Sequence, residues 1–529
     1  MGVTGNREAT ISAVVVSGVS LAGRALGLVK TMVIAWVFGA TNLVDAFFVA
    51  YMLPTILPMI AKSMIATAFI PRFMRSLRSS SDPGSWQGAN TLFTSALGIF
   101  AIATVALAVF PELLVKMVAP GLARETFATA VALTRVMSIA TIFLGVNAIL
   151  SAVAYARHRF VYASLDAVLT NSFIILGTLV FAPHYGIVAL GWSVVAGFMA
   201  QSILLIAGSR DLLAAAIRPA LAFGHEDFRA PLRHIFPLTV GAIGAVATGL
   251  VDQIFASFLD AGSIAVLGYA TMLALLPMEI FGQPIRTTFY PLLSRHHADG
   301  NYDAMRDSHV RGLRVYILVM LPAIAILVMY GEPAVAVLLE RGSFDAQMTQ
   351  KTAWVVVALS LGLLSRAFAW FNFGVFHALV QPWVPVVLGL VEVAINIVLT
   401  WALVGPFGVF GIALASSLAL TVTAVVTTVL LTRRLEYPIA SLLVKPFLKV
   451  AGMTAVALLA AHVFGWLALL AFAPGDAWWR NVCLLMGLVP AAVVFFGSGW
   501  VLRLNEVSSL MSYVRRKIGG DAAIEASRP

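Results

Sequence analysis

Charge is what this 529-residue chain has least of: Asp, Glu, Lys and Arg make up 11% of it, and 60% is hydrophobic. A soluble domain carries roughly 25% charge. So few charges cannot cover several water-facing surfaces, which excludes the three or four globular units that length alone would suggest. A single cysteine, Cys483, excludes a disulfide-stapled secreted fold. There is no P-loop, and no apolar stretch carries a metal-spaced pair of histidines. His296-His297 falls between apolar runs, and Glu226-Asp227 is the nearest thing to an acidic metal-and-nucleotide mouth and reads as a solvated loop. An enzyme is not expected.

What is present is apolar sequence, with a mean hydropathy of +0.95, in runs of about 20 residues, the length that crosses a bilayer as helix. They predict an all-α polytopic membrane protein with about 14 spans: 11–37, 45–70, 88–111, 126–153, 162–182, 186–208, 234–259, 265–290, 312–330, 347–378, 384–403, 409–431, 449–472 and 482–502. The first is too long for a cleaved signal peptide and lacks its cleavage site. Turn chemistry in Gly39-Ala40-Thr41-Asn42, Ala182-Pro183-His184-Tyr185-Gly186 and Gly405-Pro406-Phe407-Gly408 marks tight connections between antiparallel neighbours.

The net charge of +10 has a pattern. Arg72, Arg75 and Arg78, then Arg157 and Arg159, Arg210, Arg218, Arg229 and Arg233, Arg306, Arg311 and Arg314, Arg433 and Arg434, and Arg503, Arg515, Arg516 and Lys517 fall at every second loop. That alternation puts both termini in the cytoplasm. The clusters lack interleaved aromatics, so no nucleic-acid partner is expected. The polar interruption after span six divides the chain into 1–208 (N-terminal lobe, spans one to six), 209–233 (cytoplasmic linker), 234–432 (C-terminal lobe, spans seven to twelve), 433–502 (a final helix pair) and 503–529 (cytoplasmic tail). Two six-helix lobes plus a C-terminal pair is an arrangement common among transporters built from repeats. The stretch from Arg295 to Arg311 is expected to form an amphipathic surface helix.

Ionisable residues inside spans are the informative ones, since each costs at least about 2.5–3.5 kcal/mol at a helix centre. Arg24 sits roughly 20 Å into the first span at 1.5 Å per residue. Lys30 follows on the same helix, Lys62 lies in the second span, Arg135 in the fourth and Arg366 in the tenth. Span eight carries Glu279, Gln283 and Arg286 at a spacing that shares one helix face, with Pro284 beside them. Such cations suit an anionic substrate, phosphate or pyrophosphate; the alternative is that each pairs with a carbonyl or carboxylate and only fixes helix packing. A second constellation, Asp252 with Asn396, Thr400, Ile412 and Ser416, offers the all-oxygen donors a hard cation favours, although small polar residues in membrane helices more often bond to neighbouring helices.

Phe38-Gly39-Ala40, Asp45-Ala46-Phe47-Phe48-Val49-Ala50, Leu53-Pro54 and Ala68-Phe69-Ile70-Pro71, then Phe255-Ala256-Ser257-Phe258-Leu259, Gly262-Ser263, Tyr269-Ala270 and Gly342-Ser343-Phe344-Asp345, resemble the MurJ (MviN) family of lipid II flippases, part of the multidrug/oligosaccharidyl-lipid/polysaccharide exporter superfamily. The resemblance implies a V-shaped pair of lobes around a cationic central cavity that moves a lipid-linked anionic glycan, lipid II, across the bacterial inner membrane by alternating access. It further implies a substrate site including Arg24, Lys30 and Asp45, a sodium site at Asp252, Asn396, Thr400, Ile412 and Ser416, no cofactor beyond sodium as candidate coupling ion, and a monomer working among membrane lipids and other cell-wall synthesis proteins. The chain departs from the family pattern in four places, the first being Thr400, which stands where the sodium site usually has an acid. The arginine pair expected after Leu53-Pro54 is Pro58-Met59, with Lys62 the nearest cation; the Asp-Arg pair of span eight is Thr271-Met272; the loop after span ten is Val380-Gln381-Pro382-Trp383. A flippase for another polyprenyl-linked polysaccharide, a cation-coupled drug antiporter and a non-transporting scaffold remain the alternatives.

Overall fold

The computed structural model describes residues 3–64, 87–157, 159–210, 220, 222, 226–473 and 475–502. Arg72, Arg75, Arg78, Ala68-Phe69-Ile70-Pro71, Arg218 and the 503–529 tail lie outside them. Every regular element among the described residues is a helix, as hydrocarbon demands of a backbone that must satisfy its own polar groups. In chain order these are α1 (Val3–Phe38), α2 (Asn42–Met64), α3 (Gln87–Val109), α4 (Pro111–Val118), α5 (Arg124–Ala156), α6 (Phe160–Ser164), α7 (Asp166–Leu176), α8 (Ala182–Tyr185), α9 (Val188–Gly208), α10 (Glu226–Ala256), α11 (Ser263–Pro277), α12 (Gln283–Ala298), α13 (Tyr302–Leu339), α14 (Ala346–Leu361), α15 (Leu363–Ala378), α16 (Trp383–Arg434), α17 (Ile439–Phe472), α18 (Ala477–Met486) and α19 (Leu488–Val501). Five-residue π-helical turns, Gly177–Phe181 and Met278–Gly282, join α7 to α8 and α11 to α12.

Twelve of the described helices or helix pairs are long and apolar enough to cross a membrane, and the bent pair α14–α15, which turns by 41° at Gly362, brings the number to 13. One of the twelve, the 52-residue α16, cannot be a single span: at 1.5 Å per residue it would be about 78 Å long, against a hydrocarbon thickness of about 30 Å. It folds back at Gly408, whose φ of 55° and ψ of −134° are not helical. A Cβ built on Gly411 would lie 2.3 Å from the carbonyl oxygen of Leu403, so the backbone turns tightly there. Division there gives the 14 spans read from the sequence, and Gly405-Pro406-Phe407-Gly408 is the turn it was expected to be.

One expectation fails. Residues 295–311 form no separate surface helix: α12 and α13 both run on through this polar stretch and meet at Gly300 (φ 67°) in a helical hairpin. Apolar residues are needed only where a helix crosses lipid, so polar sequence beyond the membrane edge extends a span as readily as it ends one.

The chain forms two compact units, one of residues 1–269, 339–348 and 385–412, the other of 270–338, 349–384 and 413–529. In the first, helices approach over small residues and bond through buried amides and hydroxyls: Asn147 Nδ2 donates to the Phe198 carbonyl (3.1 Å), and Ser202 Oγ donates to Asn147 Oδ1 (2.7 Å). In the second, a continuous core runs from Met278, Leu313 and Tyr316 through Phe371 and Phe376 to Ile439, Met453 and Phe495, so the C-terminal helices α17 and α19 are built into it. Gly487 lets α19 start against α17, since a Cβ there would meet the Ala461 carbonyl at 2.0 Å.

Two turn glycines should respond differently to alanine. Gly408→Ala meets only backbone strain, with no atom within 4 Å of the new Cβ, and should cost about 1–3 kcal/mol. Gly342 (φ 60°) faces the Trp36 carbonyl at 2.3 Å, so Gly342→Ala should lower the thermal midpoint of the detergent-solubilised protein clearly further. Equal midpoints for the two variants would contradict this packing.

Candidate functional site

Asp45, in the first turn of α2, is 3% exposed. Its two carboxylate oxygens accept from the backbone N–H groups of Gly262 (2.6 Å) and Ala265 (2.7 Å), so an acid from one helix supplies the N-terminal cap of another, α11. Around it, Tyr269 donates its hydroxyl to the Gly39 carbonyl (2.9 Å), and its ring packs edge-on against Phe48 and Phe344. Ser343 donates its N–H to the Trp36 carbonyl and its hydroxyl to that of Val37, both at 2.9 Å. The backbones touch at positions that only glycine fits: a Cβ on Gly262 (φ 89°) would lie 2.1 Å from the Ala40 carbonyl, and one on Gly39 (φ 66°) 2.3 Å from that of Ser343. With both oxygens held by backbone donors, Asp45 braces a knot of turns within the first unit.

The cations are placed otherwise. Arg24 and Lys30 are half-buried on α1. Gly23 lets this part of α1 pack against Ala167 of α7, and its carbonyl accepts from Asn171 Nδ2 at 3.0 Å. Lys30 Nζ stands 5.9 Å from the centre of the Tyr51 ring, which stacks on Phe47. Arg286, half-buried in the first turn of α12, lies 4.7 Å over the Trp370 ring of α15. Neither Lys30 nor Arg286 has a carboxylate partner among the described residues. Lys62 is near the end of α2, its side chain outside what the structure describes. Arg366 is half-buried, whereas Arg135 is exposed on the stripe of α5 that includes Ala132 and Ile139 and so does not belong with the buried cations.

Glu279, Gln283 and Arg286 do not keep the single face that regular helix spacing gives. Pro284 has no N–H to close the helix on the carbonyl four residues earlier, and the backbone opens into the π turn Met278–Gly282. The phase shifts, leaving Glu279 exposed and Gln283 and Arg286 half-buried.

Within the first unit, Asp252 and Asn396 come together, with Asn396 Nδ2 donating to Asp252 Oδ1 at 3.4 Å. Thr400, one turn along and fully buried, has a hydroxyl with no hydrogen-bond partner among the described residues. Ile412 is buried at the last residue of this unit, and Ser416, also buried, belongs to the second. Among the described residues no three of His, Cys, Asp and Glu form a metal-binding group; a carboxylate, an amide and a buried unpartnered hydroxyl nevertheless fit a monovalent hard cation.

The aromatic seats under Lys30 and Arg286 escape sequence reading because each lies on a different helix from its cation. The run Phe368-Ala369-Trp370-Phe371 is the one visible signal.

The sequence profile of the lipid II flippase MurJ family matches residues 34–483. The chain belongs to the MurJ family. The lipid II flippase MurJ of Burkholderia cenocepacia is 28% identical over 363 residues, 66% of this chain and 69% of that one. The probable lipid II flippase MurJ of Rhizobium meliloti is 25% identical over 535 positions, covering 97% of each. Among solved structures, a lipid II flippase MurJ in an inward closed conformation matches with a TM-score of 0.76 at 22% identity, over 93% of this chain and 99% of that one. A multidrug resistance MATE family transporter of the MOP superfamily, inward-facing, matches with a TM-score of 0.63 at 14% identity, over 80% and 98%. At these identities the structures speak for the fold. The MurJ-like sequence motifs gain a physical reason from the knot: Phe38-Gly39-Ala40, Asp45, Gly262-Ser263, Tyr269 and Gly342-Ser343-Phe344 are the residues that meet there.

Removing Asp45 should expose what it holds. Asp45→Ala leaves two buried N–H groups unsatisfied, at about 1–3 kcal/mol each, and Asp45→Asn retains one acceptor. Thermal unfolding should rank wild type above Asn above Ala, and an Asp45→Ala protein as stable as wild type would contradict the capping role.

Proposed function

We propose that this chain is a flippase that carries lipid II, an undecaprenyl-diphosphate-linked glycan, from the cytoplasmic to the outer leaflet of a bacterial inner membrane by alternating access, as a monomer with both termini in the cytoplasm. Membership of the MurJ family and the near full-length match to its relatives support the cargo. The observation that carries the anionic preference is the pairing of charges. Lys30 and Arg286, half-buried in spanning helices, sit on aromatic rings with no carboxylate partner among the described residues, so their N–H groups are open to a diphosphate. Arg24, Lys30, Lys62, Gln283 and Arg286 are the proposed contacts, Asp45 acting through the knot and Glu279 from the exposed side of the π turn. A drug antiporter for cationic compounds needs acids in these places. The departure at Thr271-Met272 favours, as second reading, another polyprenyl-diphosphate-linked polysaccharide unit. No chemistry is assigned to the protein: moving a headgroup makes and breaks no covalent bond.

Sodium is the proposed coupling ion. Asp252, Asn396 and Thr400, all of the first unit, would hold it through a carboxylate, an amide and a hydroxyl oxygen.

Two outcomes are expected. In cells depleted of their own lipid II flippase, the wild-type chain should restore growth. Arg24→Ala, Lys30→Ala and Arg286→Ala should each cut flipping by about tenfold or more, the loss of one charge-assisted contact of about 1.5–3 kcal/mol. A well-expressed wild type that fails to rescue transfers the assignment to the second reading. For the ion, sodium chloride should raise the thermal midpoint relative to choline chloride, and Asp252→Asn and Thr400→Val should each abolish the difference. A sodium shift that survives both substitutions puts the ion elsewhere.

A further inference from the structure

We infer that Trp370 and Arg286 form a phosphate-gripping unit in which Trp370 is the positioning residue and Arg286 the contact, taking the diphosphate of a polyprenyl lipid at a place on span eight that the MurJ-like pattern leaves without charge. The inference rests on the flippase reading for the lipid, and on geometry within the second unit for the grip.

The place is set by sequence and helix. Where the family pattern has an Asp-Arg pair, this chain has Thr271-Met272, and the next cation along the same continuous span is Arg286. Fourteen residues of helix separate Met272 from Arg286, roughly 21 Å. The π turn lies between them, and π turns inside spans are frequent at functional sites. Its end is fixed from outside: the fully buried Tyr316 donates its hydroxyl to the Gly282 carbonyl at 2.8 Å, one turn before Arg286.

The aromatic frame behind the guanidinium is equally fixed. Phe371, 1% exposed, packs against Tyr316 (5.5 Å between centroids) and edge-on against Phe289 (6.0 Å). Its neighbour Trp370 is thereby held where the Arg286 guanidinium lies 4.7 Å from the indole. Tyr290, Tyr316 and His377 are the titratable groups within electrostatic reach, and none of them is an acid that neutralises Arg286. A guanidinium lying over a ring makes that contact through its π face and leaves its N–H donors unspent. Two phosphate oxygens match the fork of those donors. A lysine at this position would keep the charge but lose the fork, and an arginine without the ring would keep the fork but lose its orientation.

The test uses the full chain in nanodiscs, with farnesyl diphosphate, inorganic pyrophosphate, farnesol and lipid II as probes, and equilibrium binding as readout. Arg286→Ala and Arg286→Lys should each weaken farnesyl diphosphate by about tenfold or more. Trp370→Ala should weaken it about three- to thirtyfold, and Trp370→Phe, which restores a ring, should stay within about twofold of wild type. Farnesol binding should be the same in all. Because Arg286→Lys preserves the charge and Trp370→Phe an aromatic ring, and farnesol binding reports on the fold, loss of the fold cannot imitate this pattern. Farnesyl diphosphate affinity that is equal across the series overturns the inference. So does inorganic pyrophosphate binding as tightly as farnesyl diphosphate, which would make this a site for a free anion. If wild type binds farnesyl diphosphate through Arg286 but neither binds nor flips lipid II, the grip stands and the cargo reading falls. If lipid II is flipped equally by wild type and Arg286→Ala, the cargo reading stands and the grip falls.

Discussion

Hydrocarbon does not solvate charge, and the structure answers that constraint at Asp45, Lys30 and Arg286, three ionisable groups inside spans. The answers differ by sign. The acid Asp45 is closed off, both of its oxygens held by backbone N–H groups at 2.6 and 2.7 Å, so nothing of its charge is left to offer a ligand. The cations Lys30 and Arg286 are seated on rings. A ring stabilises a cation by about 0.5–2 kcal/mol without occupying its hydrogen-bond donors. An acid at Asp45 used up in structure, with cations at Lys30 and Arg286 kept available, suits an anion carrier.

The closed acid explains why the turns are so intolerant of side chains. For Asp45 to reach the start of α11, the turn after α1 must lie against the turn before α11, and a third turn, at Gly342-Ser343, must fill the remaining side. Gly39, Gly262 and Gly342 all have positive φ, and each faces a carbonyl oxygen closer than any Cβ allows. Backbone therefore packs directly on backbone, and Tyr269 supplies the hydroxyl that satisfies the Gly39 carbonyl. Cap, glycines and tyrosine are one mechanical device, and their chemistry makes sense only together.

Much of the fold was legible in the sequence, for a reason that does not extend to the site. Apolar runs of about 20 residues state their own ends, so even α16, continuous in helical contacts, was divided in the right place by Gly405-Pro406-Phe407-Gly408. The 295–311 hairpin was missed because polar sequence outside lipid carries no signal that separates a helix from its continuation. At the site, deep cations were found by their cost, but their partners were not. Trp370 lies 84 residues beyond Arg286 on another helix, and periodicity along one helix says nothing about which neighbour faces it. The shared face of Glu279, Gln283 and Arg286 was lost to a single π turn, a local change that a regular 3.6-residue period cannot anticipate.

Seating a cation on an aromatic ring has a consequence for transport. A guanidinium already paired with a carboxylate binds a phosphate only by exchange, giving up one ion pair for another, with a net gain reduced by whatever the freed acid then lacks. A guanidinium on a tryptophan keeps its seat while it binds, so ligand and ring do not compete. The grip is then set by how many phosphate oxygens the fork reaches and by how much water remains around it, and it weakens as soon as the site is hydrated. A carrier has to hold a diphosphate firmly on one side and release it on the other. An arginine whose partner is an uncharged ring can do both without any acid changing its protonation state, which places the control of affinity in hydration.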